Sequence, residues 1–192
     1  MPIEQGVSIA TARNSIAEVQ FENGSTVRIG ELSRVDFSEM GSAPRGGYVN
    51  RLSLLVGLAT LNFVSKRRDE FILTAGTAMI KPHGKAELRV DLSHSRLRVE
   101  VFNGRVDAFD SNQSQQLRKN QVLACDYTPG GAFQITNTIQ KDEWDQWVQM
   151  RNQQASLDAY QSPAPGMYDW ESDIVPFGGM GSFSAILAAD GF

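Results

Sequence analysis

Apolar and polar residues alternate along most of the first two thirds of the chain. "IAEVQF" runs from Ile16 to Phe21, "TVRI" from Thr26 to Ile29, and "SRVDFSEM" from Ser33 to Met40. Strict alternation over several residues marks a strand with one face buried. Between the first two segments, "ENGS" supplies Asn23-Gly24, a strong hairpin signal. "SAPRGGYVN" then reads as a loop broken by Pro44 and two glycines. "RLSLLVGLATLNFV", from Arg51 to Val64, is more continuously apolar and so more central. Gly57 in its middle and its Thr, Val and Phe content favour strands over an amphipathic helix. After "KRRDE", residues 71–127 read as further strands. Turn signals punctuate them at Gly76, Pro82-His83-Gly84, Ser93 to Ser95, Asn103-Gly104 and Ser111 to Ser114.

This spacing predicts an all-β fold of about nine to twelve short strands, a compact β-sandwich or a short β-solenoid or roll. No helical pattern separates the strands, so parallel units with helical crossovers are not expected. Strand-turn-glycine repeats build a rigid scaffold, with Gly24, Gly30, Gly57, Gly76 and Gly104 as the turn glycines. Val27, Ile29, Val99, Val101 and Val106 point inward on this reading. Arg28, Arg98 and Glu100 face water.

The pattern changes after Tyr127. "TPGGAFQITNTIQ" reads as a linker with room for one more strand. "KDEWDQWVQMRNQQASLDAY" predicts the C-terminal helix, with Asp142, Glu143 and Asp145 in its first turns, where the helix dipole favours acids. Trp144, Trp147 and Val148 share a face, which is expected to dock on the sheet. The rest is rich in Pro, Gly and Ser and is expected to be mostly irregular unless it lies on something. The expected division is a β domain over 1–127, a linker and helix over 128–160, and a tail over 161–192.

Charge and composition narrow the function. The net charge of -4 argues against a nucleic-acid partner, which favours basic surfaces. A hydrophobic content of 41% supports a core, but no stretch reaches the roughly 18 apolar residues of a membrane helix. The first residues, "MPIEQGVSIATARNS", lack the basic start and apolar run of a signal peptide. One cysteine, Cys125, excludes a disulfide framework and reads as a small buried hydrophobe. His83 and His94 are both in turn-like contexts and, with Cys125, do not supply the clustered ligands of a metal site. Phosphate-loop and nucleophile-elbow motifs are missing as well. No enzyme and no cofactor are implied. Trp144 and Trp147 on the helix, with Tyr168, Trp170 and Phe177 in the tail, are the candidate partner-binding residues.

The ordered segments also carry a resemblance. "AEVQFENGSTVRIG", "LLVGLATLNFV", "FILTAGTAMI", "VEVFNGRVDAF" and "LRKNQ" follow one another as the five strand-turn motifs of the FecR domain do. Asn120 stands where the last turn of that family usually has glycine. The helix and the "PGMYDWESDI" stretch are similar to the C-terminal part of a subgroup of FecR-like envelope proteins. The resemblance, spanning about residues 10 to 127, implies a non-enzymatic interaction or scaffold module of the bacterial cell envelope, outside the cytoplasm. Its partner would be another envelope protein, with a role in signal sensing or regulation. In that family, such modules relay a signal from an outer-membrane receptor towards a sigma factor. The competing expectation is a β-sandwich that binds envelope polysaccharide, which requires aromatic residues arrayed on an exposed sheet face.

Overall fold

A computed structural model of the chain describes residues 3–64, 68–126, 131–161 and 184–188. The described residues form twelve strands and one helix. The strands are β1 Ser8–Ala10, β2 Ile16–Gln20, β3 Thr26–Ile29, β4 Arg34–Ser42, β5 Tyr48–Phe63, β6 Glu70–Ala75, β7 Ala78–Leu92, β8 Arg96–Phe109, β9 Ser114–Arg118, β10 Gln121–Asp126, β11 Gln134–Thr136 and β12 Ser184–Ala188. The helix α1 spans Glu143–Gln161. The chain divides into two units, residues 1–139 with 181–192, and residues 140–180.

All strands of the first unit belong to one hydrogen-bonded sheet, and that sheet folds over on itself. The pairings show how. The first part of β5, Val49 to Leu54, lies between β4 and β6, whereas its last part, Gly57 to Phe63, lies beside β7 and β3. The two long strands β7 and β8 divide in the same way. Met79 to His83 pairs with Arg105 to Phe109, which in turn holds β9, and Leu88 to Leu92 pairs with Leu97 to Val101, which holds β10. The first layer is therefore β1, β4, the start of β5, β6, the start of β7, the end of β8, and β9. The second layer is β12, β2, β3, the end of β5, the end of β7, the start of β8, β10 and β11. Three strands pass from one layer to the other through bends, as strands do where sheets pack at an angle.

The bends explain a difference from the sequence reading. Three turn signals, Gly57, Pro82-His83-Gly84 and Asn103-Gly104, do not end strands but bend them. Register shifts between His83 and Leu88 mark the bulge in β7. Strands of 14 to 16 residues replace the pairs of short strands expected there. The other signals are true turns. Asn23-Gly24 closes β2 to β3, with the Gly24 amide donating to Phe21. Gly76 and Thr77 form the two-residue loop between Ala75 and Ala78. Asn120 adopts a φ of 66°, so its left-handed backbone does the work of the glycine that the resemblance leads one to expect.

Between the layers lies one continuous core. Phe21 at the end of β2 packs edge-on against Phe71 of β6 at 5.8 Å and reaches Phe37 of β4 at 6.5 Å. Phe63 of β5 packs against Phe71 at 5.6 Å. These rings join the two layers directly. Val19, Val27, Ile29, Val99, Val101 and Val106 are all buried there, as the alternation predicts.

β5 and β6 are parallel, Val49 beside Glu70 through Leu54 beside Ala75, with no helix between them. The crossover is made by the second half of β5 itself, which carries the chain into the other layer before it returns. Asp69 secures that return. One carboxylate oxygen accepts from the Tyr48 amide at 3.0 Å and the other from Asn23 Nδ2 at 2.9 Å. Asn23 also accepts from the Ser25 amide, and the Ser25 hydroxyl accepts from the Val64 amide. The Asn-Gly-Ser turn is therefore a buried clasp as well as a hairpin. β12 lies in the stretch expected to be mostly irregular. It pairs antiparallel with β2, Ser184 opposite Gln20 through Ala188 opposite Ile16.

Candidate partner-binding surfaces

Two of the five turn glycines occupy corners that admit no side chain. Gly57 has a φ of 95°, and a Cβ there would lie 2.2 Å from Ser33 Oγ. The Ser33 hydroxyl accepts from the Leu58 amide at 2.8 Å, so it cannot withdraw without losing that bond. Gly104 has a φ of 83°, and a Cβ would lie 2.3 Å from the Lys85 carbonyl oxygen. Both sites need the positive φ and the close backbone approach that only glycine combines. Gly24, Gly30 and Gly76 sit in turns between strands.

The outer faces of the two layers differ. Across the second layer, Glu18, Arg28, Thr60, Arg89, Glu100 and Val122 stand in register on six neighbouring strands. The sequence reading put Arg28 and Glu100 in water; the structure buries both, at 1% and 3% exposure. Thr60 between them is 1% exposed. Charges survive burial only when paired. Arg28 Nε donates to Glu18 Oε2 at 2.6 Å. Arg98, which stays partly exposed, donates twice to Glu100 Oε1, at 2.8 and 2.6 Å. Arg89 Nη2 donates to Asp91 Oδ2 at 3.1 Å. Strand alternation says which residues leave the core. It does not say whether the far side of the sheet is wet, and register across strands cannot be read from a single chain.

The outer face of the first layer carries similar pairs in the open. Arg51 donates to Glu39 at 2.6 Å and to Glu70 at 3.1 Å, with all three side chains at least 36% exposed. His83 Nε2 and Asp107 Oδ2 are hydrogen bonded at 2.6 Å, and Gln116 Nε2 donates to Asp107 Oδ1 at 3.1 Å. Partial burial pushes the Asp107 carboxyl up, but the hydrogen bonds from Gln116 and His83, with the Arg105 charge nearby, hold it below the usual aspartate value. Beside the β5 corner is an apolar hollow of about 390 Å³, lined by Leu55, Val56, Leu92 and the Gly76-Thr77 and Ser93-His94 turns.

In α1, Trp144 and Trp147 stack at 5.0 Å with 30° between their planes, both half-buried. The helix begins with a reciprocal cap, in which the Asp145 amide donates to Asp142 Oδ1 and the Asp142 amide to Asp145 Oδ2, each at 3.1 Å. The acids at this end thus have a specific hydrogen-bonding role beyond the dipole. Tyr168, Trp170 and Phe177 lie outside the described residues, as do Lys66 and Arg67 of the "KRRDE" segment. Cys125 is buried, and burial, ahead of the charges of Asp110 and Asp126, pushes its thiol pKa up. Among the described residues no group of three or more His, Cys, Asp and Glu side chains is placed to hold a metal. No described helix is long and apolar enough to cross a membrane. Phe21, Phe37, Phe63 and Phe71 are in the core, and Tyr48, Phe102 and Phe109 are half-buried, so these seven form no exposed aromatic row.

Comparison with known proteins gives a family-model match, described as FecR protein, over residues 7–107. That range begins just before β1 and ends within β8, so it takes in both layers. Two crystal structures, each of a proposed anti-sigma factor from Parabacteroides distasonis, share the fold. One is at 1.65 Å, with a TM-score of 0.63 and 16% identity over 74% of this chain and 65% of that one. The other is at 2.50 Å, with a TM-score of 0.60 and 16% identity over 69% of this chain and 60% of that one. This chain therefore spans a little under two thirds of those chains. A search of curated proteins gives no match.

Proposed function

Since the chain belongs to the FecR family, we propose that it is a regulatory signalling module of the bacterial cell envelope that works through protein–protein contacts and performs no catalysis. The observation that carries this reading is the extent of the match. Residues 7–107 run from β1 into β8 and take in strands of both layers, so the family's domain is the greater part of the sheet and not an appendage. The anti-sigma-factor description of the two structural neighbours is consistent with such a role. Family membership supports a location in the envelope, outside the cytoplasm.

The candidate contacts are the stacked Trp144 and Trp147 and the aromatic residues Tyr168, Trp170 and Phe177. The polysaccharide alternative gains nothing from the aromatic placement described above. Transcript profiling of the native host, with the chain present, deleted or carrying Trp144→Ala with Trp147→Ala, tests the regulatory reading. A defined gene set that shifts on deletion and in the double variant, while the variant still melts cooperatively, is the expected result. An unchanged transcript profile on deletion, together with retention of polysaccharide by the purified chain, would overturn it.

A further inference from the structure

β12 occupies an edge. It lies along β2, and β2 is held on its other side only by β3. Without β12, the amide and carbonyl groups on one side of Ile16 to Gln20 would have no strand beside them. Ala17 and Val19 would still be seated in the core. The edge is thus a preformed, rigid template for one more antiparallel strand, the arrangement used in recognition by strand addition. Its present occupant is five residues long, Ser184 to Ala188.

The occupant is joined to the scaffold in an unusual way. Between the end of α1 and β12 run the 22 residues 162–183, which contain three prolines and four glycines. Fully extended, such a segment reaches roughly 75 Å. The family match includes β2 and excludes β12. The accepting edge therefore belongs to the family's domain and the strand that fills it does not.

We infer that the β2 edge is the acceptor for an extended strand of a protein partner, and that β12 is a resident stand-in which the partner strand displaces. Main-chain hydrogen bonds would carry the affinity, so the partner's segment is a proline-free stretch of about five residues that pairs antiparallel with Ile16–Gln20. The inference rests on the regulatory reading for the existence of a partner, but the surface itself is tested separately.

The probe is a labelled peptide of residues 182–190, Ser-Phe-Ser-Ala-Ile-Leu-Ala-Ala-Asp. Its binding is measured to the full chain and to full-length Ile186→Pro and Leu187→Pro variants. Neighbouring residues of a strand point their amides to opposite sides, so one of the two prolines removes a donor to β2. That variant is expected to bind the peptide about tenfold or more tightly than the unmodified chain does. Amide exchange at residues 16–20 should speed up in it and slow again when peptide is added. A peptide carrying the same proline should not bind. Equal binding by all three proteins, or no binding by any, overturns the proposal. If a proline variant loses its cooperative melt, the unmodified chain supplies the reading. Saturating peptide should then speed exchange at residues 184–188 while 16–20 stay protected, and unchanged exchange at 184–188 overturns the proposal. Such a failure would remove the β2 edge as the contact and leave the regulatory role to stand or fall on the transcript profile.

Discussion

The two outer faces of the folded sheet are built from the same residue types and obey different electrostatics. On the second layer, Arg28 and Glu18 meet at 2.6 Å with side-chain exposures of 2% and 16%. On the first, Arg51 and Glu39 meet at the same distance with exposures of 44% and 48%. Distance alone would rank the pairs equal. Solvent decides otherwise, because a shielded charge that loses its partner bears the cost of desolvation, whereas an exposed one is rescued by water. An ion pair on the open face typically contributes about 0 to 1 kcal/mol. Breaking a buried one typically costs about 3 to 5 kcal/mol.

The comparison exists only because the sheet bends, so the largest effect comes from removing a bend. Gly57→Val places a branched side chain at a φ of 95° and against Ser33. The expected loss is about 4 kcal/mol or more, from strain and overpacking together. Urea unfolding followed by circular dichroism reads it, and a loss under about 1 kcal/mol would mean that β5 turns its corner without this contact.

Next comes the shielded face. Arg28→Ala removes the 2.6 Å ion pair to Glu18 at the edge of the buried row and is expected to cost about 3 kcal/mol. The midpoint of urea unfolding should fall with little change in slope.

The inner side offers a smaller change of opposite sign. Asn50 stands opposite Met40 and Phe71 and is 2% exposed, and its Oδ1 has no hydrogen-bond partner. Asn50→Leu removes an unsatisfied buried acceptor and should raise stability by about 1 kcal/mol, read as a higher melting temperature.

The smallest effect belongs to the open face. The Asp107 carboxyl titrates below its ordinary value of 3.8 in the folded chain. It therefore adds stability above that value, and the addition is lost as pH falls through the lower folded value. Asp107→Asn should cost less than about 1 kcal/mol at neutral pH. Its stability curve should converge on that of the unmodified chain once pH falls below the lowered folded value of Asp107.

Much of this was legible in the sequence. The alternating segments found their strands, Asn23-Gly24 its hairpin, and "DEWDQWVQM" its helix, whereas the reciprocal Asp142–Asp145 cap appears only in the structure. Gly57 and Gly104, read from the sequence as turn glycines, lie inside long strands with positive φ. Whether such a glycine ends a strand or bends it depends on which strands lie on either side, and that is a property of the assembled sheet. Arg28 and Glu100 were assigned to water for the same reason. Their positions in the alternation were read correctly, but the dryness of the far face is set by tertiary structure. The in-register row from Glu18 to Val122 has no trace in any one segment, since its members are spread over more than a hundred residues. The β2 edge became a candidate surface only once β12 was seen to lie along it.

The central claim is that one face of the folded sheet is electrically shielded and the other is not. Double-mutant cycles on Arg28–Glu18 and Arg51–Glu39, each at low and high salt, test it most directly. The account predicts a coupling of about 2 kcal/mol or more for Arg28–Glu18, nearly unchanged by salt. For Arg51–Glu39 it predicts about 0.5 kcal/mol or less, fading as salt rises. Equal couplings that fade together would contradict it, because both faces would then be open to water.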